Sequence, residues 1–333
     1  MAKHGKIQTA IEYAAAWTLL TGLGWFPRSG AVAAGRGMGR IAYTVGGRLR
    51  RAGTRNLELA FPTMSAHERD RILRGCFANL GRLLGEFSHF GHATPESLLK
   101  VVECKGLEHL EAAEATGRGT ILFTGHLGAW ELTSLALSAL GHRVDFLARR
   151  IDNAPIEAMI ENTRTRFGNR SIDKRAAARP MLRTLGQGGT LGILADLNTQ
   201  PHEGVFVDFF GVPACTTASL ATIALRTNAT VLPIFAPWDE ARRQFALRIE
   251  QPISIERTGD ENDDVRALTQ KVTGVIEEYV RRYPDQWLWI HKRWNTRPAG
   301  EADLYSLQER KLEAKRSATS DVLGKVHPDS NSL

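Results

Sequence analysis

The 333-residue sequence contains few cysteines, and their spacing argues against several classes of protein. Cys76, Cys104 and Cys215 are far apart, odd in number and form no CxxC pair. They provide neither a disulfide framework nor a thiolate zinc site, and this pattern is typical of a reducing cytosolic environment.

Metal-binding and nucleophile motifs are also missing. The sequence has no helical HExxH motif or comparable ligand spacing, so a metal site has little support. Such a site would have to combine His126, Glu131, Asp196, His202 and Glu203. No serine or cysteine lies in a recognisable nucleophile elbow, so no covalent enzyme intermediate is expected. We therefore predict a protein that needs neither a metal nor another cofactor.

Positive charge is concentrated near the N-terminus. The formal net charge is +7, and residues 1–74 contain 12 Lys and Arg against 4 Asp and Glu, which gives +8 for this segment and −1 for the remainder. A basic segment on a nearly neutral body indicates an anionic partner, although it is also compatible with a soluble basic flank. Because no aromatic–basic motif of a known nucleic-acid-binding type is present, we expect a membrane surface rather than a nucleic acid.

Residues 7–26 are apolar but do not form a clean membrane span. A glutamine, a glutamate and three threonines interrupt the run, whereas spanning needs about 20 apolar residues. Tyr13, Trp17 and Trp25 are residue types that lie at the headgroup level of a bilayer. We predict an interfacial or short spanning anchor over residues 1–30. An ordinary amphipathic first helix and a cleaved signal peptide are the alternatives.

Helix-type and strand-type patterns alternate from about residue 101 onward. Strands are predicted at residues 120–124, 144–148, 191–195, 230–236 and 245–249. Helices are predicted at residues 107–115, 130–140, 154–167, 176–185, 216–226 and 263–282. This alternation is typical of an α/β fold with a mostly parallel sheet flanked by helices. We assign residues 31–305 to this domain and predict a polar, disordered tail over residues 306–333.

The most distinctive local motif is TGHLGAWE at residues 124–131, directly after a predicted buried strand. His126 would lie at the carboxyl end of that strand, where open α/β sheets bind ligands. Glu131 would lie in the first turn of the next helix and fix the tautomer of the imidazole, so that the other ring nitrogen accepts a proton from an attacking hydroxyl. Backbone N–H groups at the helix start could stabilise an oxyanion. The alternative is that Glu131 only caps its helix.

Other polar side chains follow predicted strands and are candidate binding residues. They are Arg149, Asn153, Arg164, Arg166, Asp196 and Glu203. The first four lie at the end of the second strand or along the helix after it, and the last two lie in the loop after the third strand. Arginine binds phosphate in a bidentate manner, although these arginines could equally pair with surface acids.

Five segments, in this order, resemble the lipid A biosynthesis acyltransferases, the lauroyl and myristoyl transferases of the lysophospholipid-acyltransferase-like superfamily. They are RNLELAFP at residues 55–62, HLGAWE at 126–131, Arg149 with Asp152, Asn153, Arg164 and Arg166, Asp196 with GVFVDFFGVPACTT at 204–217, and PDQWLWIHKRWNTRPAGE at 284–301. HLGAWE fits the His-x4-Asp/Glu signature of that family. The resemblance extends over residues 6–305.

The resemblance implies a glycerol-3-phosphate-acyltransferase-like fold with an N-terminal anchor at the cytoplasmic face of the inner membrane. It also implies transfer of a fatty acyl group from an acyl carrier protein to a hydroxyl of a lipid A precursor. His126 would be the general base, Glu131 its partner, and Arg149 a residue of catalysis or acceptor binding. Two departures from the family pattern, Arg150 in place of a frequent proline and LNTQP after Asp196, leave the acceptor and the acyl length open.

Two other functions remain open from the sequence. One keeps the chemistry and changes the substrates: acylation of another glycolipid, such as a phosphatidylinositol mannoside, from acyl-CoA. The other is a non-catalytic lipid-binding protein, for which replacement of His126 would leave activity in cells intact.

Overall fold

The computed structural model describes residues 5–306 and confirms a mixed α/β fold. Within that range the helices are α1 (Lys6–Gly24), α2 (Arg28–Val45), α3 (Gly47–Ala60), α4 (Ala66–Phe90), α5 (Pro95–Leu99), α6 (Leu107–Ala115), α7 (Trp130–Ala139), α8 (Ala154–Arg164), α9 (Ala178–Gly186), α10 (Ser219–Thr227) and α11 (Glu261–Arg282). The strands are β1 (Val102–Lys105), β2 (Thr120–Thr124), β3 (Val144–Ala148), β4 (Arg170–Asp173), β5 (Thr190–Leu194), β6 (Gly204–Phe209), β7 (Val212–Thr217), β8 (Thr230–Phe235), β9 (Trp238–Asp239) and β10 (Gln244–Ile249). The predicted tail, apart from Ser306, lies outside the described residues.

The main sheet has the strand order β1-β10-β8-β2-β5-β3-β4, and β9 pairs with β10. Strand β2 lies between β8 and β5 and is parallel to both, whereas β10 runs antiparallel to β8. All five residues of β2 are buried, as expected for the central strand of a sheet covered on both faces. The carboxyl ends of β2 and β5 therefore lie side by side near the middle of one sheet edge, where open α/β sheets bind ligands.

Apolar side chains of β2 contribute to the core on both sides of the sheet. Ile121 and Phe123 belong to the cluster that contains Trp287, whereas Leu122 belongs to the cluster beneath α7 that contains Leu132. This division follows from the period of two residues along a strand. Helices pack on each face and exclude water from the sheet.

The segment after α11 returns to the core and joins α3. Trp287, Trp289 and Trp294 are at most 1% exposed. Asn56 of α3 is completely buried; its Nδ2 donates to the carbonyl oxygen of Trp289, and its Oδ1 accepts from the hydroxyl of Tyr305. Two of the segments on which the family resemblance depends, residues 55–62 and 284–301, are thus held together by one amide side chain.

The N-terminal helices pack on the α/β domain through α4. Helix α2 approaches α4 so closely that a Cβ atom on Gly35 would lie 2.1 Å from the carbonyl oxygen of Gly81. Helix α1 contacts α4 and α8, and the Nδ2 atom of Asn153 donates to the backbone of Thr9 and to Glu12 Oε2. No helix within the described part of the chain is long and apolar enough to cross a bilayer. The boundary at residue 30 stays a prediction.

Candidate active site

An imidazole and a buried carboxylate meet at the carboxyl edge of the sheet. His126 Nδ1 lies 2.8 Å from Asp196 Oδ1, and the backbone N–H of His126 donates to Asp196 Oδ2 over 2.6 Å. The indole Nε1–H of Trp287 donates to the same Oδ2 over 2.8 Å. Because Asp196 is 2% exposed, these three contacts hold the carboxylate and the ring in a fixed orientation. Nε2 of His126 is the nitrogen left for a substrate.

Each of the two groups favours the charged form of the other. Burial favours neutral His126, but the charge of Asp196, its hydrogen bond and the more distant Glu131 outweigh that effect and raise the pKa of the imidazole. Burial also opposes ionisation of Asp196, yet the charge and hydrogen bonds of His126, together with Trp287, lower the pKa of that carboxyl. The pair is thus built to stabilise an imidazolium when His126 accepts a proton.

Glu131 does not occupy the position that we predicted for it. Its carboxylate receives two hydrogen bonds from the guanidinium of Arg164, over 2.7 and 2.5 Å, rather than one from His126. The prediction that Glu131 fixes the imidazole is therefore wrong in its geometry, and Asp196 holds that place. The physical reason is that α7 begins at Trp130, which directs Glu131 toward the last residue of α8. A carboxylate at a helix N-terminus and an arginine at a helix C-terminus each complement the helix dipoles.

An apolar cavity of about 190 Å³ opens beside the imidazole. His126, Glu131, Arg149 and Arg164 line it together with apolar side chains of β2, β3, β5, β8 and α7. The buried apolar residues among these are Leu122, Leu137, Val144, Ile193 and Ile234. Three predicted catalytic residues thus share one cavity with predicted binding residue Arg164.

The amides after His126 are largely occupied. The N–H groups of Leu127, Gly128 and Ala129 donate to the carbonyl oxygens of Gly125, Gln286 and Ala236. Gly128 has a φ of 60°, and a Cβ atom there would lie 2.3 Å from the carbonyl oxygen of Ala236, so the turn requires glycine. These bonds fix the loop but leave Arg149, which lines the cavity with an exposed side chain, as the better candidate for binding a developing oxyanion.

Three predicted binding residues have structural contacts instead. Asn153 is 3% exposed, caps α8 and bonds to α1. Arg166 donates to the carbonyl oxygens of Ala93 and Gly91, and Glu203 accepts a hydrogen bond from Thr199. None of the three lines the cavity beside His126. Their roles in substrate binding stay predictions.

Two further residues hold the loop that carries Asp196, and sequence reasoning found no signal for them beyond the QWLWIHKRW segment. Arg293 is completely buried and donates to the carbonyl oxygens of Leu197, over 3.5 Å, and of Cys215 in β7, over 3.0 Å. Burial lowers its pKa to about 10. His291 Nε2 accepts from the backbone N–H of Asn198 over 3.1 Å. Within residues 5–306 no group of three or more His, Cys, Asp and Glu side chains is arranged to hold a metal ion.

A carboxylate-held imidazole beside an apolar cavity is a site suited to moving a proton next to a long apolar substrate. Comparison with known proteins agrees with this description of the site. The sequence matches the family model of bacterial lipid A biosynthesis acyltransferases over residues 3–296, so the chain belongs to that family and is a transferase. The family resemblance stated from the sequence is confirmed.

The relatives include three proteins named for lipid A biosynthesis. Lipid A biosynthesis acyltransferase 2 of Shigella flexneri is 25% identical over 287 residues, which cover 86% of this chain and 90% of that protein. The lipid A biosynthesis lauroyltransferase of Escherichia coli (strain K12) is 26% identical, over 90% of this chain and 98% of that protein. The lipid A biosynthesis myristoyltransferase of the same organism is 25% identical, over 82% of this chain and 83% of that protein.

Proposed function

We propose that this protein transfers a fatty acyl group from an acyl thioester to a hydroxyl of a lipid A precursor, with His126 as general base. The observation that carries this proposal is the position of the imidazole, whose Nδ1 is bound by Asp196 while the ring borders an apolar cavity. The apolar part of the lining would receive the acyl chain, and its thioester carbonyl would then lie beside the imidazole of His126.

The reaction needs no covalent enzyme intermediate. The acceptor hydroxyl gives its proton to His126 Nε2 as its oxygen attacks the thioester carbonyl carbon. The tetrahedral intermediate carries a negative oxygen, which Arg149 would stabilise. Collapse breaks the carbon–sulfur bond, and the leaving thiolate takes the proton back from the imidazolium. Asp196 keeps the ring oriented and stabilises its charged form throughout.

Glu131 and Arg164 would position the substrate rather than transfer a proton. They form a bidentate pair at the cavity, with side chains that are 27% and 18% exposed. The Glu131 charge also favours the imidazolium, although less than Asp196 does. This role keeps Glu131 in the site while Asp196 takes over the orienting contact.

We place the donor on acyl carrier protein and the enzyme at the cytoplasmic face of the inner membrane. Large apolar side chains support the membrane location. Of the ten that are exposed within residues 5–306, eight lie on the first three helices or in the link between α1 and α2. They are Ile7, Ile11, Trp17, Trp25, Phe26, Ile41, Val45 and Leu49. An interfacial helix buries such side chains in the headgroup region.

The test is an assay with labelled acyl–acyl carrier protein or acyl-CoA and a purified lipid A precursor, with the products identified by mass spectrometry. We expect the wild type to acylate the precursor from acyl carrier protein, and the His126→Gln variant to be slower by roughly 10³-fold. A wild-type rate in His126→Gln would refute the general-base assignment. Efficient transfer from acyl-CoA alone would replace the proposed donor.

A further inference from the structure

A second concave site lies next to the catalytic loop and is rich in arginine. Its volume is about 340 Å³. Its charged lining consists of Arg28, Arg36, Arg40, Arg82, Glu86, Glu240 and Arg243, and we call it the arginine pocket. Five arginines against two glutamates give it a formal charge of +3. Trp238 also lines it, and its backbone N–H donates to Gln286, whose carbonyl oxygen binds Gly128 of the catalytic loop.

The floor of the arginine pocket contains two buried charged side chains, Arg82 and Glu86, each paired with a more exposed partner. Arg82 is 5% exposed, lies 4.1 Å from the ring centroid of Trp238 and donates to Glu240 over 3.0 Å. Glu86 is completely buried and receives two hydrogen bonds from Arg28, over 2.8 and 2.6 Å. Such a floor is rigid, because moving any member would leave a buried charge without its partner.

The rim carries more positive charge than the acidic side chains within residues 5–306 neutralise there. Arg36 lies 3.5 Å from Glu240, which it shares with Arg82. Burial lowers the pKa of Arg82, and the charge of Arg36 lowers it further. The effect of Arg36 means that the two cations repel each other. Arg40 and Arg243 are exposed, and neither forms a salt bridge with another residue in the range 5–306. An anion in the pocket would relieve this repulsion.

Two of the three arginines that the sequence suggested for phosphate binding are already engaged, and the third, Arg149, lines the cavity beside His126. Arg164 gives its guanidinium to Glu131, and Arg166 donates to two backbone carbonyl oxygens. An anionic substrate or lipid would therefore have to displace existing contacts there. The arginine pocket has two guanidinium groups, those of Arg40 and Arg243, without an acidic partner in the described part of the chain, so an anion there needs no such displacement.

We propose that the arginine pocket binds the phosphate monoester of a membrane lipid headgroup. Two exposed aromatic residues, Trp25 at 84% and Phe26 at 56%, precede Arg28 in the chain by three and two positions. Aromatic side chains of this kind lie at headgroup level, which places the pocket at the depth of lipid phosphates. The planar fork of arginine matches a phosphate, and a concave site suits one small anion better than a protein surface. The inference rests on the membrane location in the proposed function.

The experiment is flotation of the full-length protein with phosphatidylcholine vesicles that contain phosphatidic acid, a lipid with a phosphate monoester. Vesicles with phosphatidylserine, matched for surface potential, measure the contribution of charge alone. The test variant is Arg40→Ala/Arg243→Ala. The matched control is Arg226→Ala/Arg266→Ala, which removes two exposed arginines from outside the pocket. Circular dichroism verifies that each variant is folded.

We expect the wild type to bind phosphatidic acid vesicles about tenfold more tightly than the matched vesicles. The pocket variant should lose this preference, and the control variant should keep it. Equal loss in both variants, or a preference that survives in the pocket variant, would overturn the inference. Two further results would overturn it as well. One is that inorganic phosphate competes equally with both types of vesicle. The other is that the pocket variant loses binding to an acidic carrier protein while its vesicle binding is unchanged.

The variant His126→Gln separates this inference from the proposed function. It should transfer acyl groups roughly 10³-fold more slowly than the wild type and yet float with phosphatidic acid vesicles like the wild type. If His126→Gln retains full transfer activity, the catalytic proposal fails, but the flotation of the arginine variants still decides the binding site.

Discussion

His126 Nδ1 and Asp196 Oδ1 are 2.8 Å apart because two adjacent strands end in register. Thr124 at the end of β2 pairs with Leu194 at the end of β5. His126 lies two positions after Thr124, and Asp196 lies two positions after Leu194. A histidine and an aspartate separated by 70 residues in the sequence are thereby brought to equivalent places on one sheet edge. The contact is a consequence of strand order and register.

This pair predicts a stability that depends on pH. Although burial opposes it, Asp196 raises the pKa of His126 in the folded protein. The stabilisation of the fold that comes from His126 is therefore fully present below about pH 6.5, and it is lost as the pH rises through the higher pKa of the folded state. The pKa of Asp196 is lowered against burial by His126, so its contribution is present above about pH 3.9 and is lost as the pH falls through the lower folded value.

Both contributions coexist between about pH 4 and pH 6.5. Urea denaturation of the wild type and His126→Gln should therefore show a larger difference in unfolding free energy near about pH 5.5 than near about pH 8, by roughly 1 kcal/mol. The isosteric replacement Asp263→Asn, at an exposed position of α11, serves as the control. A difference that grows toward alkaline pH would contradict the ion pair.

The bidentate pair of Glu131 and Arg164 predicts a measurable coupling. In a double-mutant cycle with Glu131→Gln and Arg164→Gln, the double variant should be more stable than the sum of the single effects by about 1–3 kcal/mol. The pair Glu261 and Arg226, with side chains 65% and 66% exposed, is the matched control, and its coupling should be below about 0.5 kcal/mol. Equal couplings would show that the partly buried pair gains nothing from its surroundings.

Gly192 predicts a limit on acyl-chain length. It lies in the middle of β5 and lines the apolar cavity, and a Cβ atom there would be 3.1 Å from Val144 Cγ1 and 3.4 Å from Phe146 Cβ. Gly192→Ala should narrow the cavity and reduce transfer of long chains more than that of short chains, by about tenfold in the ratio of kcat/KM. Gly274→Ala, on α11 with no neighbour within 4 Å of its Cβ position, is the control. A uniform decrease for all chain lengths would rule out a role of Gly192 in selecting the chain.

Asn153 predicts a structural rather than a substrate-binding effect. Asn153→Ala should destabilise the protein by about 1–2 kcal/mol, because it removes a helix cap and the contacts with Thr9 and Glu12. Hydrogen exchange in α1 should accelerate, while KM for the acceptor stays the same. Asn153→Asp keeps the cap but loses the donor, so it should mobilise α1 and preserve the start of α8. An increase in KM without faster exchange would support the substrate role predicted from the sequence.

Much of the sheet could be predicted because its strands are short apolar runs between turn residues. Strand β2 has the predicted bounds, and the helix at Leu107–Ala115 does as well. Helix α2 was missed because four of its residues are glycines, which disfavour an isolated helix. The close contact with α4 compensates for that cost, since the glycines allow the two backbones to approach. Strand β1 has four residues, none of them fully buried, and offered too weak a pattern.

The sequence was enough to predict which residues belong to the candidate site, but not which of them contact one another. His126 and Asp196 were both expected to follow strands, but Glu131 was taken as the partner of the imidazole because it is close in sequence. The correct pairing depends on β5 lying between β2 and β3, and sequence order does not reveal such an insertion. Trp287, which completes the hydrogen bonds of Asp196, comes from a segment 91 residues away.

The measurement that tests the central claim most directly is the pH dependence of kcat/KM for acyl transfer in the wild type and in Asp196→Asn. The account predicts that the wild-type rate rises with pH through one ionisation above about pH 6.5, the free-base form of a histidine whose pKa is raised. In Asp196→Asn, the midpoint should move to lower pH and the plateau should fall by roughly 10³-fold. A variant with the wild-type plateau and midpoint would contradict the claim that Asp196 holds the catalytic imidazole.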